Sequence, residues 1–166
     1  MKPKVLIIMG SDSDLPVMEE TARILDEFAV PYTMTVASAH RTPARTLKLV
    51  KAAEKNGVDV IIGAAGMAAH LPGVIASHTI LPVIGIPLDA SPFRGMDALL
   101  SIVQMPPGIP VATVSVGKAG ARNAAILAVQ IIARQDPKLT KQLQDYRQKM
   151  VKEVEGKADR ITKKKR

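Results

Sequence analysis

Five consecutive apolar residues, Val5-Leu6-Ile7-Ile8-Met9, run directly into Gly10-Ser11-Asp12-Ser13-Asp14 and then Leu15-Pro16. This junction constrains the chain more than any other stretch. The apolar run is too short for a stable helix and lacks polar alternation, so it reads as a strand buried on both faces. Such a strand needs helices above and below it, which points to a parallel sheet. The turn that follows offers a glycine backbone N–H, hydroxyls and a helix start in quick succession. Open α/β sheets present donors to an anion in this way, at the carboxyl end of a strand.

The alternation continues along the chain. Val17, Met18, Thr21, Ala22, Ile24, Leu25 and Phe28 recur at helical spacing, and Ser13 or Asp14 is placed to cap that helix. Residues 31–37 predict a second strand. Thr42-Pro43 then starts a helix that Asn56-Gly57 stops. Further strands are predicted over 58–64, 81–86 (bounded by Pro82 and Pro87) and 111–116. A short helix near 74–77, another over 96–103 and an almost wholly apolar one over 120–134 lie after them. Five strands alternating with helices predict a three-layer, flavodoxin-like or Rossmann-like α/β fold. Its expected strand order is 2-1-3-4-5, followed by an extended C-terminal helix.

That last helix, expected over residues 136–157, carries one narrow stripe of Leu139, Leu143, Tyr146, Met150 and Val154 on a charged surface. The α/β unit of residues 1–135 is complete without it. The stripe therefore suits packing on a neighbouring subunit, with packing on its own domain as the alternative. Residues 158–166 read as a basic tail.

Charge placement limits the partners. The formal net charge is +8, yet residues 1–135 hold 12 Lys/Arg against 10 Asp/Glu, and the excess sits in the last 31 residues. A nucleic-acid binder wants its basic face on the folded body, so nucleic acid is not an expected partner. With 2% aromatic residues, base stacking and flavin binding are poorly served. The absence of cysteine removes disulfides, thiolate nucleophiles and Cys-based metal sites. No signal segment and no membrane-length apolar run is visible, so the expectation is a soluble cytoplasmic protein.

Three polar turns leave strand ends: Gly10–Asp14, Ser38–Thr42 and Gly63–His70. In the order 2-1-3 they are neighbours. Ser11, Ser13, Ser38 and Thr42, glycine N–H groups such as that of Gly10, helix N-termini and Arg41 suit one phosphate or a sugar phosphate. Gly63-Ala64-Ala65-Gly66 lacks dinucleotide-fingerprint spacing, and Gly117-Lys118-Ala119-Gly120 is no Walker A loop. One of Asp12 and Asp14 is expected to face a helix N-terminus or ribose hydroxyls, and simple capping by Asp14 stays open. His40 could be a surface or capping residue. Its neighbour Arg41, and His70 on an adjacent turn, favour proton transfer instead. Three histidines without ligand spacing make a metal site improbable.

Met9-Gly10-Ser11-Asp12-Ser13-Asp14, Ser38-Ala39-His40-Arg41-Thr42-Pro43, Ala68-Ala69-His70-Leu71-Pro72-Gly73 and Ser101-Ile102-Val103-Gln104-Met105-Pro106 closely resemble the PurE family of purine biosynthesis. The four motifs stand in the family's order and spacing, from about Val5 to Ala133. The resemblance implies an N5-carboxyaminoimidazole ribonucleotide (N5-CAIR) mutase of the class I type, which uses no metal, biotin or nucleoside triphosphate. By position it implies Ser11 and Arg41 at the ribose phosphate and Asp14 at the ribose hydroxyls. His40 would be the proton carrier, and His70 would stand beside the pocket that holds carbon dioxide. Ser38, Ala39, Gly66, Met67, Ala68 and Leu71 would shape the base and carboxylate pocket. It also implies a homo-octamer in which the C-terminal helix reaches a neighbour. A divergent branch carboxylates aminoimidazole ribonucleotide directly with carbon dioxide, and the turns at Arg41 and His70 look like the mutase branch. Ala64 stands where the family often has Gly, which would tighten the third turn.

Overall fold

The structure, a computed structural model, describes residues 2–163. Its centre is a five-stranded, all-parallel sheet in the order β2-β1-β3-β4-β5, as the apolar strands demand. The strands are β1 (Val5–Met9), β2 (Tyr32–Val36), β3 (Val60–Gly66), β4 (Val83–Leu88) and β5 (Ala112–Thr113). The helices are α1 (Leu15–Glu27), α2 (Pro43–Asn56), α3 (Leu71–Ala76), α4 (Met96–Val103), α5 (Gly117–Ala133) and α6 (Pro137–Lys163). Among the described residues, no helix is long and apolar enough to cross a membrane.

Alternation along β1 divides the core into two layers. Val5, Ile7 and Met9 face α1 and α5, packed with Met18, Leu25, Ala121, Ala124, Ala128 and Val129. Leu6 and Ile8 face the other way, onto Val50 and Ala53 of α2, Ile75 of α3 and Ile102 of α4. The α5 surface is alanine-rich, so that helix lies close to the sheet and to α1. Thr21, fully buried in α1, donates its hydroxyl to the Ala121 carbonyl at 2.9 Å. At the rim of the same contact Glu20 accepts from Arg122 and Arg23, and those bonds hold its carboxyl down to about 2.

Several boundaries differ from the sequence expectation for identifiable reasons. β3 and β4 each run two residues further, through Gly66 and Leu88. Pro87 thus lies inside a strand rather than bounding it. The Gly85 carbonyl accepts from Val114 on the β5 side, and Pro87 faces that same side two residues on. The next bond of the β4–β5 ladder would need an N–H from Pro87, which has none. The ladder stops, and β5 shrinks from the expected 111–116 to two residues. Ala64 belongs to β3, is wholly buried and accepts from Gly10 N–H, so it does not tighten a turn.

The helix starts also differ. Ser13 and Asp14 do not cap α1: Asp14 occupies its N-cap position but makes no capping bond. Ser11 instead caps a 3-10 turn over Asp12–Asp14, in a reciprocal capping box with Asp14. Thr42 likewise makes no side-chain cap for α2; its hydroxyl accepts from Ser38 N–H at 2.9 Å and closes the preceding turn. Gly57 ends α2 in the left-handed conformation, as expected.

The expected 136–157 helix runs on to Lys163, because Gly156 is followed by good helix formers and no stop signal. Its apolar stripe divides in two. Leu139 is buried on the α/β core, and Leu143 and Tyr146 pack against it, with the Phe28 and Tyr146 rings 5.4 Å apart. Met150 and Val154, further along, are exposed. Residues 164–166 of the basic tail lie outside the described residues.

Candidate active site

The register of the sheet aligns three strand ends. Met9 pairs with Val36 on one side and Ala64 on the other, so the turns after β1, β2 and β3 emerge side by side. They enclose a cavity of about 510 Å³ at the carboxyl edge of the sheet. Of the residues singled out from the sequence, Gly10, Ser11, Ser13 and Asp14 line it from the first turn, Ser38, Ala39, His40 and Arg41 from the second, and Gly66, Met67, Ala68, His70 and Leu71 from the third, while Asp12 and Thr42 stay outside it.

The first turn is held by its own side chains. Ser11 N–H donates to Asp14 Oδ2 at 3.0 Å, and the Ser11 and Ser13 hydroxyls lie 2.9 Å apart. Asp12 accepts from the Ser11 hydroxyl and from Ser13 N–H, so it belongs to the turn and does not line the cavity. Asp14 does line it, at 8% exposure. Burial pushes the Asp14 carboxyl up, and the donors from Ser11, Ser13 and Gly10 only partly offset that. A buried carboxylate with hydroxyls beside it fits the hydroxyl groups of a sugar better than a phosphate.

Arg41 ties two turns together. Its Nη2 donates to the Gly10 carbonyl at 3.1 Å, and its backbone N–H donates to Ser38 Oγ at 3.2 Å. The remaining guanidinium donors are left for an anion in the cavity that the Ser11 and Ser13 hydroxyls also line.

His40 and His70 meet across the second and third turns. His40 Nε2 and His70 Nδ1 are 2.8 Å apart, with ring centroids at 4.9 Å and the planes nearly perpendicular. One ring must donate and the other accept, so the two share a proton position at the cavity wall. Among the described residues, no group of three or more His, Cys, Asp or Glu side chains is placed to hold a metal ion.

The third wall is made of small residues, and one of them is obligatory. A Cβ on Gly66 would stand 2.6 Å from the Ala90 Cβ. Ala90 and Ala65 line the cavity too, and neither was singled out in the sequence. Ala65 lay within the expected third turn. Ala90, after β4, carries no functional group, and only its position beside Gly66 gives it a role. A larger cavity, about 690 Å³, opens at the opposite edge of the sheet among Lys2, Lys4, Phe28, Lys55, Lys138 and neighbours.

Fold and cavity together define a doubly wound α/β protein with a polar cleft where the strand order reverses. The chain belongs to the AIR carboxylase (PurE) family, whose family model matches residues 4–153. It is 57% identical over 160 residues to the N5-carboxyaminoimidazole ribonucleotide mutase of Pyrococcus horikoshii, covering 96% of this chain and 89% of that one. The same-named proteins of Thermotoga maritima and Escherichia coli K12 are 52% and 50% identical. Those matches cover 96% and 91% of this chain, and 92% and 89% of theirs. Among solved structures, Treponema denticola PurE matches with a TM-score of 0.84 at 29% identity, over 92% of this chain and 94% of that one.

Proposed function

We propose that this protein is an N5-CAIR mutase, converting N5-CAIR to 4-carboxyaminoimidazole ribonucleotide (CAIR) in purine biosynthesis. The observation that carries the reading is the His40–His70 pair at 2.8 Å, set beside an arginine, paired serines and a small-residue pocket. The 50–57% identity to proteins named for this activity supports it.

In this reading Arg41 and the Ser11 and Ser13 hydroxyls hold the ribose phosphate, and Asp14 accepts from the ribose hydroxyls. The imidazole then lies toward Ala39, Gly66 and the histidines. The carbamate N–C bond breaks, its electron pair stays on nitrogen, and His40 delivers the proton that nitrogen takes up. Carbon dioxide is freed. C4 of the ring attacks it, forming the new C–C bond, and the C4 proton returns to His40. Protons and electrons balance, and one imidazole serves as acid and then as base. His70, hydrogen-bonded to His40, keeps that ring oriented through both steps.

The exposed outer half of α6, with Met150 and Val154, supports assembly with further copies of the chain, and the octamer of the resemblance is the expected state. A cytoplasmic location follows from the small phosphorylated substrate. The deciding experiment supplies purified protein with N5-CAIR, chelator and no ATP, and measures CAIR. In parallel it supplies aminoimidazole ribonucleotide at low bicarbonate. Rapid CAIR formation from N5-CAIR alone is expected. Turnover only in the second reaction would make the protein a direct carboxylase.

A further inference from the structure

Met67 has two features that the reading above does not use. Its backbone is left-handed, with φ of 56°, although it has a side chain. A non-glycine residue held there is strained, and such strain persists where the surrounding structure enforces it. Within the single chain the residue is also 59% exposed, so packing inside the chain does not compensate. A long apolar group is thus held at the rim of the cavity, in a conformation glycine would adopt freely.

The walls around it explain what such a group could do. Ala65, Gly66, Ala68 and Ala90 are too small to reach over anything in the cavity. Leu71 is 2% exposed and fixed in the core. Met67 is therefore the long apolar side chain in the lining that is free to swing. Methionine is unbranched and adapts its shape to what it covers. The proposed reaction releases carbon dioxide, a small uncharged molecule that must stay beside C4 until it is recaptured. Escape would leave aminoimidazole ribonucleotide and dissolved carbon dioxide. An apolar cover that excludes water would favour recapture.

We infer that Met67 is the cover of the site: its side chain folds over the bound imidazole and retains carbon dioxide between the two bond changes. The inference rests on the mutase reading and adds to it a residue that governs retention rather than proton transfer.

The test follows the carbon. Unlabelled N5-CAIR is turned over in 13C-bicarbonate with carbonic anhydrase present. The 13C fraction of CAIR and the aminoimidazole ribonucleotide formed above the enzyme-free background are measured together. The wild-type product keeps the substrate's carbon. Met67→Ala and Met67→Gly raise both readouts about fivefold, equivalent to about 1 kcal/mol of lost closure at 1.4 kcal/mol per decade. Met67→Leu returns them toward wild type. Unchanged label in the Ala and Gly variants overturns the inference while leaving the mutase reading standing. So does leakage in Ala but not Gly, which would assign the effect to backbone strain, and so does a Leu variant as leaky as Ala. Wild-type CAIR that is fully labelled, or absent, instead removes the mutase reading and this inference with it.

Discussion

The two edges of the sheet carry cavities of similar scale, about 510 Å³ at the carboxyl edge and 690 Å³ at the amino edge, but only the smaller gathers chemistry. The difference lies in which way the backbone points. At the carboxyl edge, strands end and helices begin, so N–H groups and the positive ends of helix dipoles converge with Arg41, the serines and both histidines. At the amino edge, helices end: Phe28 closes α1, Gly57 closes α2, and Ala133 ends α5 nearby. Lys55 lies in the last turn of α2, whose carbonyl end calls for positive charge. The neighbouring acids are occupied within the fold. Asp136 accepts from Lys138 and Leu139 N–H, Glu54 from Thr79 and Ile80, and Asp59 pairs with Lys4 at 3.0 Å. Size alone would have nominated the amino edge.

Substitutions at each edge sharpen this contrast. The largest effect is expected from His40→Asn, which should lower kcat by about 10³ while substrate still binds, since a positioned acid–base group contributes roughly 10²–10⁴. Near-normal turnover in that variant would remove the histidine from the chemistry. Arg41→Ala should act on binding, raising KM by roughly 10- to 100-fold with a smaller change in kcat, the scale of a lost charge-assisted contact to phosphate. An effect confined to kcat would contradict the proposed grip.

At the amino edge the expected changes are in stability. Ala29 follows α1 at φ 52°, in a turn closed by Val30 N–H to the Leu25 carbonyl, where glycine is the usual residue. Ala29→Gly should therefore stabilise by about 0.5 kcal/mol, the balance of left-handed strain against chain entropy. A thermal melt would show a Tm rise of about 1–2 °C.

Asp14 supplies a test by pH. Because its folded carboxyl is pushed above the usual 3.8, the folded state holds that proton more tightly than the unfolded chain. Its contribution to stability is therefore lost as pH rises from 3.8 through the raised value, and is flat above. The Tm of Asp14→Asn relative to wild type should climb over that window. A constant offset would mean that Asp14 pays no burial cost. The smallest effect is expected from Lys55→Glu, in the last turn of α2, which should leave kcat/KM within about twofold and slightly lower Tm. A large loss of activity there would break the contrast between the two edges.

The strands and the three polar turns were legible because each rests on short-range signals, whereas the strand order rests on the fold type, and Ala39, Gly66, Met67, Ala68 and Leu71 are placed at the site by the family resemblance. Apolar runs mark buried strands, and polar turns directly follow them. Most of what the sequence hid depends on partners distant in the chain. The short β5 follows from Pro87, whose missing donor matters only once β4 lies beside β5. Asp14 turns back to Ser11 because a 3-10 turn precedes α1, which residue spacing does not distinguish from a direct cap. Ala90 could be found only from its distance to Gly66. The stripe on α6 has one apolar spacing throughout, yet Leu139 is buried and Val154 exposed, because the domain surface beneath it ends partway.

The pairing of Met9 with both Val36 and Ala64 has a practical consequence for anyone altering the gene. One residue inserted within β1 would move its turn about 3.3 Å out of line with its neighbours and reverse every inward side chain after it. The connection at the other edge around Ile80, which is 98% exposed, is the better place to lengthen the chain, cut it for permuted termini or fuse it, because it lies away from the three aligned turns. The molecule thus has one edge to leave alone and one edge open to engineering.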